Sequence, residues 1–492
     1  MKLNRKEYIE KNLTRSEISY FKKIGVKFPK ENVFDFDWAD YKEHLHNRIH
    51  LTNKSHKKDF DKLFKLIKLD NNKKDFLYKI IYEGQHTTNN TKRFFDFSLL
   101  PLNIALGEKV YNYFIPPLDY FSDMEVNEKD PYGLLNSKSR VKNYHNSSVH
   151  IIKEDNLIGS HKFTHTFLFN IDFYCPIGCA DCYKSRLGTR EYTDKKEDNL
   201  FIAADNVAIN KPNKSTVVRN TELLVNWMNN SERGKYIYDV ILSGGEPLIL
   251  SDKIIEQILN EFKKAKNLKI LRICTGTVFL GLPFRITDKL IKIFDNFIKE
   301  TNIKITFQVH LGNSNMLSPE SIIAIKKIRK IGINLYSQIP IKNHINFFLN
   351  DYCKTIDELT KLLYLQNLLN IEPYMFIVDM HPSTNFFYVP LEAILQVWGD
   401  LIDSHNYPGL EKPRTLSLLF KEGNILLSSH SLFAMKKKVD YKNKIVTYKI
   451  PRIGHKDNWN FNIKEFFMYS EPLIKHINDN PNSLSNINKF SL

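Results

Sequence analysis

The strongest constraint on the fold is a regular alternation between residues 163 and 404, where short apolar β-rich runs are followed by longer segments with apolar residues at helical spacing. The predicted strands are residues 163–171, 238–243, 269–275, 304–310, 333–339 and 374–379. The predicted helices are residues 219–229, 252–266, 286–299, 318–331, 355–370 and 390–403. Parallel neighbours need helical crossovers, so the series predicts an α/β fold with a parallel sheet, open or curled into a partial barrel. Functional groups are then expected at the carboxyl ends of the strands.

The chain on either side of this region follows other patterns. The first part lacks the alternation and is predicted to be mainly helical. After Pro413 the sequence changes to short strand-like runs and a tail rich in Asn and Ser. We therefore predict a mainly helical region (1–158), a barrel (159–405) and a small α+β extension with a polar tail (406–492).

Composition limits the class of protein. With 492 residues, 42% hydrophobic and 26% charged, the chain can bury one large core or several smaller ones. We find no signal-peptide pattern at Met1 and no apolar run long enough to cross a bilayer, and we predict a cytoplasmic protein without membrane association. Five cysteines are too few and too clustered for a secreted disulfide scaffold.

Three of these cysteines lie in the segment CPIGCADCYK, where Cys175, Cys179 and Cys182 have the spacing C-x3-C-x2-C directly after the first predicted strand. A [4Fe–4S] cluster normally takes four thiolates, so three leave one iron with an open position, which the amino and carboxylate groups of a methionine moiety can chelate. The alternative is a zinc site with three cysteines and one histidine. The histidines considered for it are His161, His165 and His310.

A second motif, ILSGGEPLIL, favours the iron–sulfur interpretation. Gly244 and Gly245 lie at the end of the second predicted strand, where paired glycines let the backbone approach a ligand closely. Strand-end carbonyls there can accept hydrogen bonds from an ammonium group, and Glu246, followed by Pro247, adds negative charge. Alone this motif would indicate a turn, but after the three cysteines it indicates a binding site.

With these two motifs the chain resembles the radical SAM superfamily, and its six β–α units match that superfamily's partial (βα)6 TIM-type barrel. The resemblance implies that a single [4Fe–4S] cluster reduces S-adenosylmethionine (SAM) to give a 5′-deoxyadenosyl radical, which abstracts a hydrogen atom from the substrate. The sequence departs from the superfamily pattern before the third cysteine. The residue there is usually aromatic and is Asp181 here, with Tyr183 following the cysteine.

Further segments are similar, in the same order, to the lysine 2,3-aminomutase family. The matching segments are DWADYKEHLHNRI (37–49), DPYGLL (130–135), LPFRITDKL (282–290), QVHLGNSNMLSPES (308–321), SQIPI (337–341) and PYMFIVDMHPSTNFFYVP (373–390). This resemblance implies an amino-acid-like substrate, a cellular reductant such as a flavodoxin or ferredoxin, and a homo-oligomer.

The resemblance also implies roles for four residues. His310 and Gln338 would help to hold SAM. Lys184 stands where the family has an arginine for the substrate carboxylate, and Asp379 where it has an aspartate for a side-chain ammonium. Lys184 supplies charge but not the bidentate fork of an arginine, so the carboxylate contact is expected to differ. For Asp379 the alternative is an aspartate that caps the next loop.

The pyridoxal phosphate site of that family fits the sequence badly. Its phosphate-binding arginines are absent from HKFTHTF (161–167), where only Lys162 and a histidine could meet a phosphate. Its cofactor lysine follows a run of glycines, whereas the corresponding stretch here (412–428) has one glycine and the candidates Lys412 and Lys421. We therefore expect no pyridoxal phosphate and a different radical outcome, such as epimerisation, dehydrogenation, decarboxylation or elimination.

Two alternatives remain open. One is a true pyridoxal-phosphate-dependent 2,3-aminomutase. The other, from a different class, is a basic metal-binding protein that docks on nucleic acid, which the formal charge of +16 would suit. The basic residues are, however, spread along the chain, and the densest run, Lys436–Lys438, is short, so we interpret them as solvated faces.

Overall fold

A computed structural model describes the helices and strands of the barrel region and parts of the two flanking regions. The described residues are 3–28, 49–51, 61, 71–72, 74–75, 95–97, 159–163, 165–172, 214–276, 283–380, 385–403, 415–420, 423–427, 435–451 and 466–473. The predicted boundaries at 158/159 and 405/406 involve residues outside these ranges and stay predictions. None of the helices in the described ranges is long and apolar enough to cross a membrane.

The described helices and strands follow the predicted order. The helices are α1 (Arg5–Asn12), α2 (Arg15–Lys23), α3 (Lys214–Asn230), α4 (Asp252–Phe262), α5 (Asp288–Glu300), α6 (Pro319–Lys330), α7 (Tyr352–Leu368) and α8 (Leu391–Asp403). The strands are β1 (Ile49–Leu51), β2 (Phe95–Phe97), β3 (Gly159–Phe163), β4 (Thr166–Asp172), β5 (Asp239–Gly244), β6 (Ile270–Thr275), β7 (Lys304–His310), β8 (Asn334–Ile341), β9 (Ile371–Asp379), β10 (Thr415–Phe420), β11 (Gly423–Leu427), β12 (Lys436–Asp440), β13 (Ile445–Pro451) and β14 (Phe466–Pro472).

The main sheet has the strand order β11-β10-β9-β8-β7-β6-β5-β4-β3. The pairs β4–β5, β5–β6, β6–β7 and β9–β10 are parallel, whereas β3–β4 and β10–β11 are antiparallel. The six predicted strands are β4 to β9, with the six predicted helices between and after them. The prediction of an α/β fold with a curled sheet, consistent with a partial TIM-type barrel, is therefore confirmed.

The chain divides into two compact units. The first comprises Met1–Asn127, Ser148–Leu311 and Asn315–Tyr336, and the second comprises Glu128–Ser147, Gly312–Ser314 and Ser337–Leu492. The first unit thus contains β3 to β7 and the start of β8, and the second contains the rest of β8 with β9 to β14.

The core of the first unit lies between its strands and the helices that follow them. All six residues of β5 are buried, as expected of a strand covered on both faces. Ser251, Thr287 and Ser318 cap the N-termini of α4, α5 and α6, where their side-chain oxygens accept backbone N–H groups. These caps end each strand-to-helix connection on the same edge of the sheet, which is the edge that carries the candidate site.

The second unit contains a separate antiparallel sheet with the order β12-β13-β14. Its buried Glu471 accepts hydrogen bonds from the Tyr388 hydroxyl at 2.7 Å and from the Leu391 N–H, at the start of α8, at 3.0 Å. Burial, and then the charge of Glu471, raises the pKa values of Tyr388, Tyr448 and Tyr469 above the ordinary tyrosine value. These tyrosines therefore stay protonated and hold this sheet against α8.

At the N-terminus, a buried ion pair fastens α1 to α6. Arg5 donates two hydrogen bonds to Glu320, one of them from Nη2 to Oε2 at 3.1 Å, and both side chains are almost fully buried. The ring of Tyr8 packs edge-on against Phe284 at a centroid distance of 5.0 Å. This part of the predicted helical region is thus a packed element of the first unit.

Replacing Arg5 with Met should lower the free energy of unfolding by about 3–5 kcal/mol, because Glu320 would remain as an uncompensated buried charge. The matched control is Lys6→Met, since Lys6 is exposed and its 3.9 Å pair with Glu10 is worth less than about 1 kcal/mol. Urea unfolding of the full chain measures both effects. Equal losses in the two variants would contradict the buried-pair account.

Candidate active site

The end of β5 has the backbone conformation that a close approach to a ligand requires. Gly244, its last residue, has a φ of +116°, which residues with a Cβ rarely adopt. Gly244 is buried and Gly245 is half-buried. Both glycines predicted to form the cofactor site therefore lie at the carboxyl end of a barrel strand.

The carboxylate of Glu246 joins the ends of β5 and β6. Its Oε1 accepts hydrogen bonds from the Thr275 hydroxyl at 2.7 Å and the Leu248 N–H at 3.1 Å. Its Oε2 accepts one from the Gly276 N–H at 2.8 Å, and Glu246 is only 1% exposed. Charge-assisted bonds of this kind are about twice as strong as neutral ones, so Glu246 fixes the positions of both strand ends.

Arg285 holds the next part of the same loop. Its guanidinium donates to the carbonyls of Leu248 and Leu250, both at 2.7 Å, and to Asp252 Oδ1 at 2.6 Å. Arg285 belongs to the segment LPFRITDKL and is 1% exposed. The sequence identified this segment only by resemblance, and the structure shows that its arginine supports the glycine-containing loop.

The strands β6 and β7 carry further polar side chains at or near their carboxyl ends. Cys274 of β6 and Gln308 of β7 are paired in register, and the thiol donates to Gln308 Oε1 at 3.4 Å. His310, the last residue of β7, is half-buried. Sequence reasoning missed Thr275 and Gln308, whose only signal was a polar residue at the carboxyl end of a buried strand.

The first parallel strand contributes a buried acceptor near the same edge. Asn170 of β4 pairs in register with Ser243 of β5. Its Oδ1 is buried and has no hydrogen-bond partner among the described residues. Buried acceptors are nearly always satisfied in folded proteins, so a donor from a bound group fits this position.

His165 lies at the opposite end of β4. Its Nδ1 is 3.2 Å from the carbonyl oxygen of Tyr236, and its ring stacks on Tyr238 at 5.1 Å. The seven residues of β4 place it about 23 Å from Asp172, after which the cysteine segment follows. The three cysteines lie outside the described residues, so the alternative zinc site with His165 stays a prediction.

In the second unit, the candidate substrate residue Asp379 is the last residue of β9 and is already in an ion pair. Its Oδ2 lies 3.6 Å from the Nζ of Lys342, which directly follows β8, and both side chains are buried. Gln338, predicted to hold SAM, lies within β8 and is half-buried. Lys342 was not identified from the sequence, because nothing in its surroundings marks it as a buried lysine.

Several predicted site residues lie outside the described residues. These are Cys175, Cys179, Cys182, Lys184, Lys412 and Lys421. His161 and Lys162 belong to β3, and only their backbone is described. Within the described ranges, no group of three His, Cys, Asp or Glu side chains could hold a metal ion.

Comparison with known proteins gives consistent relatives at low identity. An L-lysine 2,3-aminomutase of Buchnera aphidicola is 28% identical over 280 residues, which are 56% of this chain and 72% of the relative. That of Methanococcus maripaludis is 27% identical over 339 residues, which are 67% of this chain and 62% of the relative. That of Clostridium subterminale is 22% identical over 239 residues, which are 48% of this chain and 49% of the relative. In the last two, the match spans less than two thirds of the relative. No family model matches the sequence.

Replacing Glu246 with Gln should weaken SAM binding by about tenfold or more while the chain remains folded. An amide nitrogen would face one of the three donors, and the loop geometry that Glu246 fixes would be lost. Calorimetric titration of the cluster-loaded protein with SAM measures the affinity. Thr14→Ala, which removes the N-cap of α2 and about 1 kcal/mol of stability, should leave the affinity unchanged. Equal affinities in the wild type and Glu246→Gln would contradict a positioning role for Glu246.

Proposed function

We propose that this chain, a lysine 2,3-aminomutase-like member of the radical SAM superfamily, is a radical enzyme that uses one [4Fe–4S] cluster and SAM to act on an amino-acid-like substrate. The observation that carries the proposal is the end of β5, where Gly244 has a positive φ and Glu246 fixes the loop at the carboxyl edge of a partial barrel. This edge is where barrel enzymes place their catalytic groups.

The described residues fit a bound SAM. The strand-end backbone at Gly244 and Gly245 can accept hydrogen bonds from an ammonium group, and Asn170 Oδ1 is a buried acceptor with no partner among the described residues. His310 and Gln338 are the further candidates for holding SAM. Cys175, Cys179 and Cys182 would hold the cluster. Together the cluster and SAM supply a radical able to remove an unactivated hydrogen atom from the substrate.

The chain itself binds and orients the ligand and excludes water from the site. Glu246 and Arg285 hold the loop of residues 244–250 in one conformation through bonds to its backbone, so that a ligand meets donors and acceptors already in position. Burial of β5, of Gln308 and of Thr275 keeps this edge dry, which protects a reactive radical from side reactions.

For the specific reaction we propose radical chemistry on the substrate without pyridoxal phosphate. The loss of two phosphate-binding arginines and of the glycine run around Lys412 and Lys421 supports a radical reaction without pyridoxal phosphate. The second candidate is a true amino-acid 2,3-aminomutase, favoured by the names of the relatives. We further propose a cellular reductant such as a flavodoxin or ferredoxin as electron donor and a cytoplasmic location, with homo-oligomerisation by analogy to the family.

The protein purified without oxygen should be brown and contain about four irons per chain. With SAM and a chemical reductant it should release 5′-deoxyadenosine, detected by mass spectrometry. Cys179→Ala should lose both the colour and the product, whereas Cys353→Ala, which changes an exposed cysteine on α7, should keep both. A colourless protein that carries one zinc and is indifferent to iron would contradict the proposal.

Pyridoxal phosphate should not form a specific adduct with this chain. Incubation with the cofactor, borohydride reduction and peptide mapping should give only scattered substoichiometric labelling of lysines, because the sequence lacks the two phosphate-binding arginines and the glycine run of that family. A stoichiometric adduct on Lys412 or Lys421 would instead make the aminomutase the leading candidate.

A further inference from the structure

From the ion pair between Lys342 and Asp379 we infer that the substrate of this enzyme carries no ammonium group on its side chain. The inference rests on the proposed function, from which it takes an amino-acid-like substrate bound at the carboxyl ends of the strands. It specifies the chemical class: an amino acid whose side chain ends in an uncharged group. The position that could neutralise a substrate cation is occupied by a cation of the protein itself.

Asp379 would otherwise be the natural receptor for such a cation. It is the last residue of β9 and is 8% exposed, so it lies at the edge of the sheet where barrel enzymes bind their substrates. Its backbone is fixed by pairing with Leu419 of β10, whose carbonyl also accepts the Met380 N–H at 3.0 Å. A buried strand-end carboxylate of this kind needs a positive partner, because an isolated buried charge is strongly unfavourable.

Lys342 supplies that partner from within the chain. Its Nζ lies 3.6 Å from Asp379 Oδ2, and the side chains are 6% and 8% exposed. The attraction between two opposite charges at this distance is stronger inside a protein than in water, which favours the pair in the protein without substrate. The carboxylate of Asp379 is therefore neutralised before any substrate arrives.

The backbone around Lys342 leaves it little freedom to withdraw. Its N–H donates to Asn346 Oδ1 at 3.0 Å, and its carbonyl accepts the Phe347 N–H at 3.1 Å. The side-chain amide of Asn346 in turn donates to the carbonyls of Gly312 at 2.6 Å and Pro340 at 2.8 Å. The turn of residues 342–347 is thus anchored to the chain on both sides.

Two further contacts lock this turn. Asn343 donates from its backbone N–H to the Phe387 carbonyl at 3.2 Å, and the ring of His344 stacks on Phe386 at 4.2 Å. His344 has a φ of +65°, an uncommon conformation for a residue other than glycine, which persists only where the surroundings enforce it. The backbone of Lys342 is consequently fixed at this position, from which its side chain reaches Asp379.

A side-chain ammonium on the substrate would be disfavoured here. It would approach a carboxylate that already has a cation within 4 Å, so it would gain little attraction and would be repelled by Lys342. A substrate with an uncharged end meets a neutral pair without this repulsion. Lysine, which carries such an ammonium and appears in the names of the relatives, is therefore expected to be a poor ligand of this chain.

The test compares L-lysine with L-norleucine, which has the same carbon chain without the ammonium. Cluster-loaded full-length protein with SAM and no reductant is titrated with each amino acid by calorimetry, so that binding is measured without turnover. The wild type should bind norleucine at least as tightly as lysine. In Lys342→Met, which removes the cation beside Asp379 that repels a substrate ammonium, the affinity for lysine relative to norleucine should rise about tenfold or more.

Two control variants separate charge from packing. Lys342→Arg keeps the positive charge and should keep the wild-type order of affinities. Lys342→Met combined with Asp379→Asn should lose the gain for lysine, because no carboxylate remains to bind it. Thermal unfolding of each variant establishes that it is folded.

Two results would overturn the inference: a wild-type protein that binds lysine more tightly than norleucine, or a folded Lys342→Met variant whose relative affinity for lysine does not rise. The comparison of lysine with norleucine uses only the wild-type protein, so it tests the inference even if a variant does not fold. Release of 5′-deoxyadenosine from SAM by the reduced wild type, measured without any amino acid, tests the proposed function separately. A wrong inference about the substrate can thus be distinguished from a wrong proposal of the radical function.

Discussion

The site depends above all on the carboxylate of Glu246, which lies between the ends of two parallel strands. It accepts hydrogen bonds from Thr275, Gly276 and Leu248. It thereby fixes the end of β6 relative to the end of β5 and stabilises the loop that connects β5 to α4. Hydrogen bonds to such backbone and hydroxyl donors offset the cost of removing them from water. The sequence GGEP thus combines two functions. The glycines allow a ligand to approach the backbone at the strand end, and the glutamate fixes the conformation of the loop around it.

Other buried charges in the described residues serve the same purpose of fixing one loop or element. Arg285 satisfies two loop carbonyls and Asp252, and Arg5 fastens the first helix to Glu320. Such pairs contribute little net stability compared with apolar packing, but breaking one leaves an unpaired charge and is strongly unfavourable. They therefore favour one arrangement of the strand ends over alternatives. The pair of Lys342 and Asp379 follows the same rule at the end of β9, where we propose that the substrate binds.

Much of this fold could be predicted from the sequence because the information is local. The strand at 304–310 was predicted with the observed limits, and the helix predicted at 390–403 begins at Leu391. Both follow from apolar periodicity over a dozen residues. The predicted strand at 163–171 corresponds to β4 (Thr166–Asp172), whereas β3 (Gly159–Phe163), which pairs antiparallel with β4, was not predicted. Periodicity did not reveal β3, because its residues GSHKF form no apolar run.

The contacts that define the site could not be predicted, because they join residues far apart in the chain. Arg285 reaches a carbonyl 37 positions away, Lys342 pairs with Asp379 across a whole helix, and Arg5 meets Glu320 across 315 positions. Each depends on strand register and side-chain direction, which composition and spacing do not contain. The strand-like run TLSLLF is a further example: it was predicted as a strand of the C-terminal extension, and it pairs with β9 as part of the main sheet.

The central claim is that the strand-end loop presents SAM to an iron of the three-cysteine cluster. Electron–nuclear double resonance on the reduced, cluster-loaded protein tests it directly, with SAM labelled with nitrogen-15 in the amino group and oxygen-17 in the carboxylate. The account predicts hyperfine coupling of both nuclei to the cluster, because both groups would chelate the iron that has no cysteine ligand. A cluster whose spectrum shows no coupling to either label, in protein that binds SAM stoichiometrically, would contradict it.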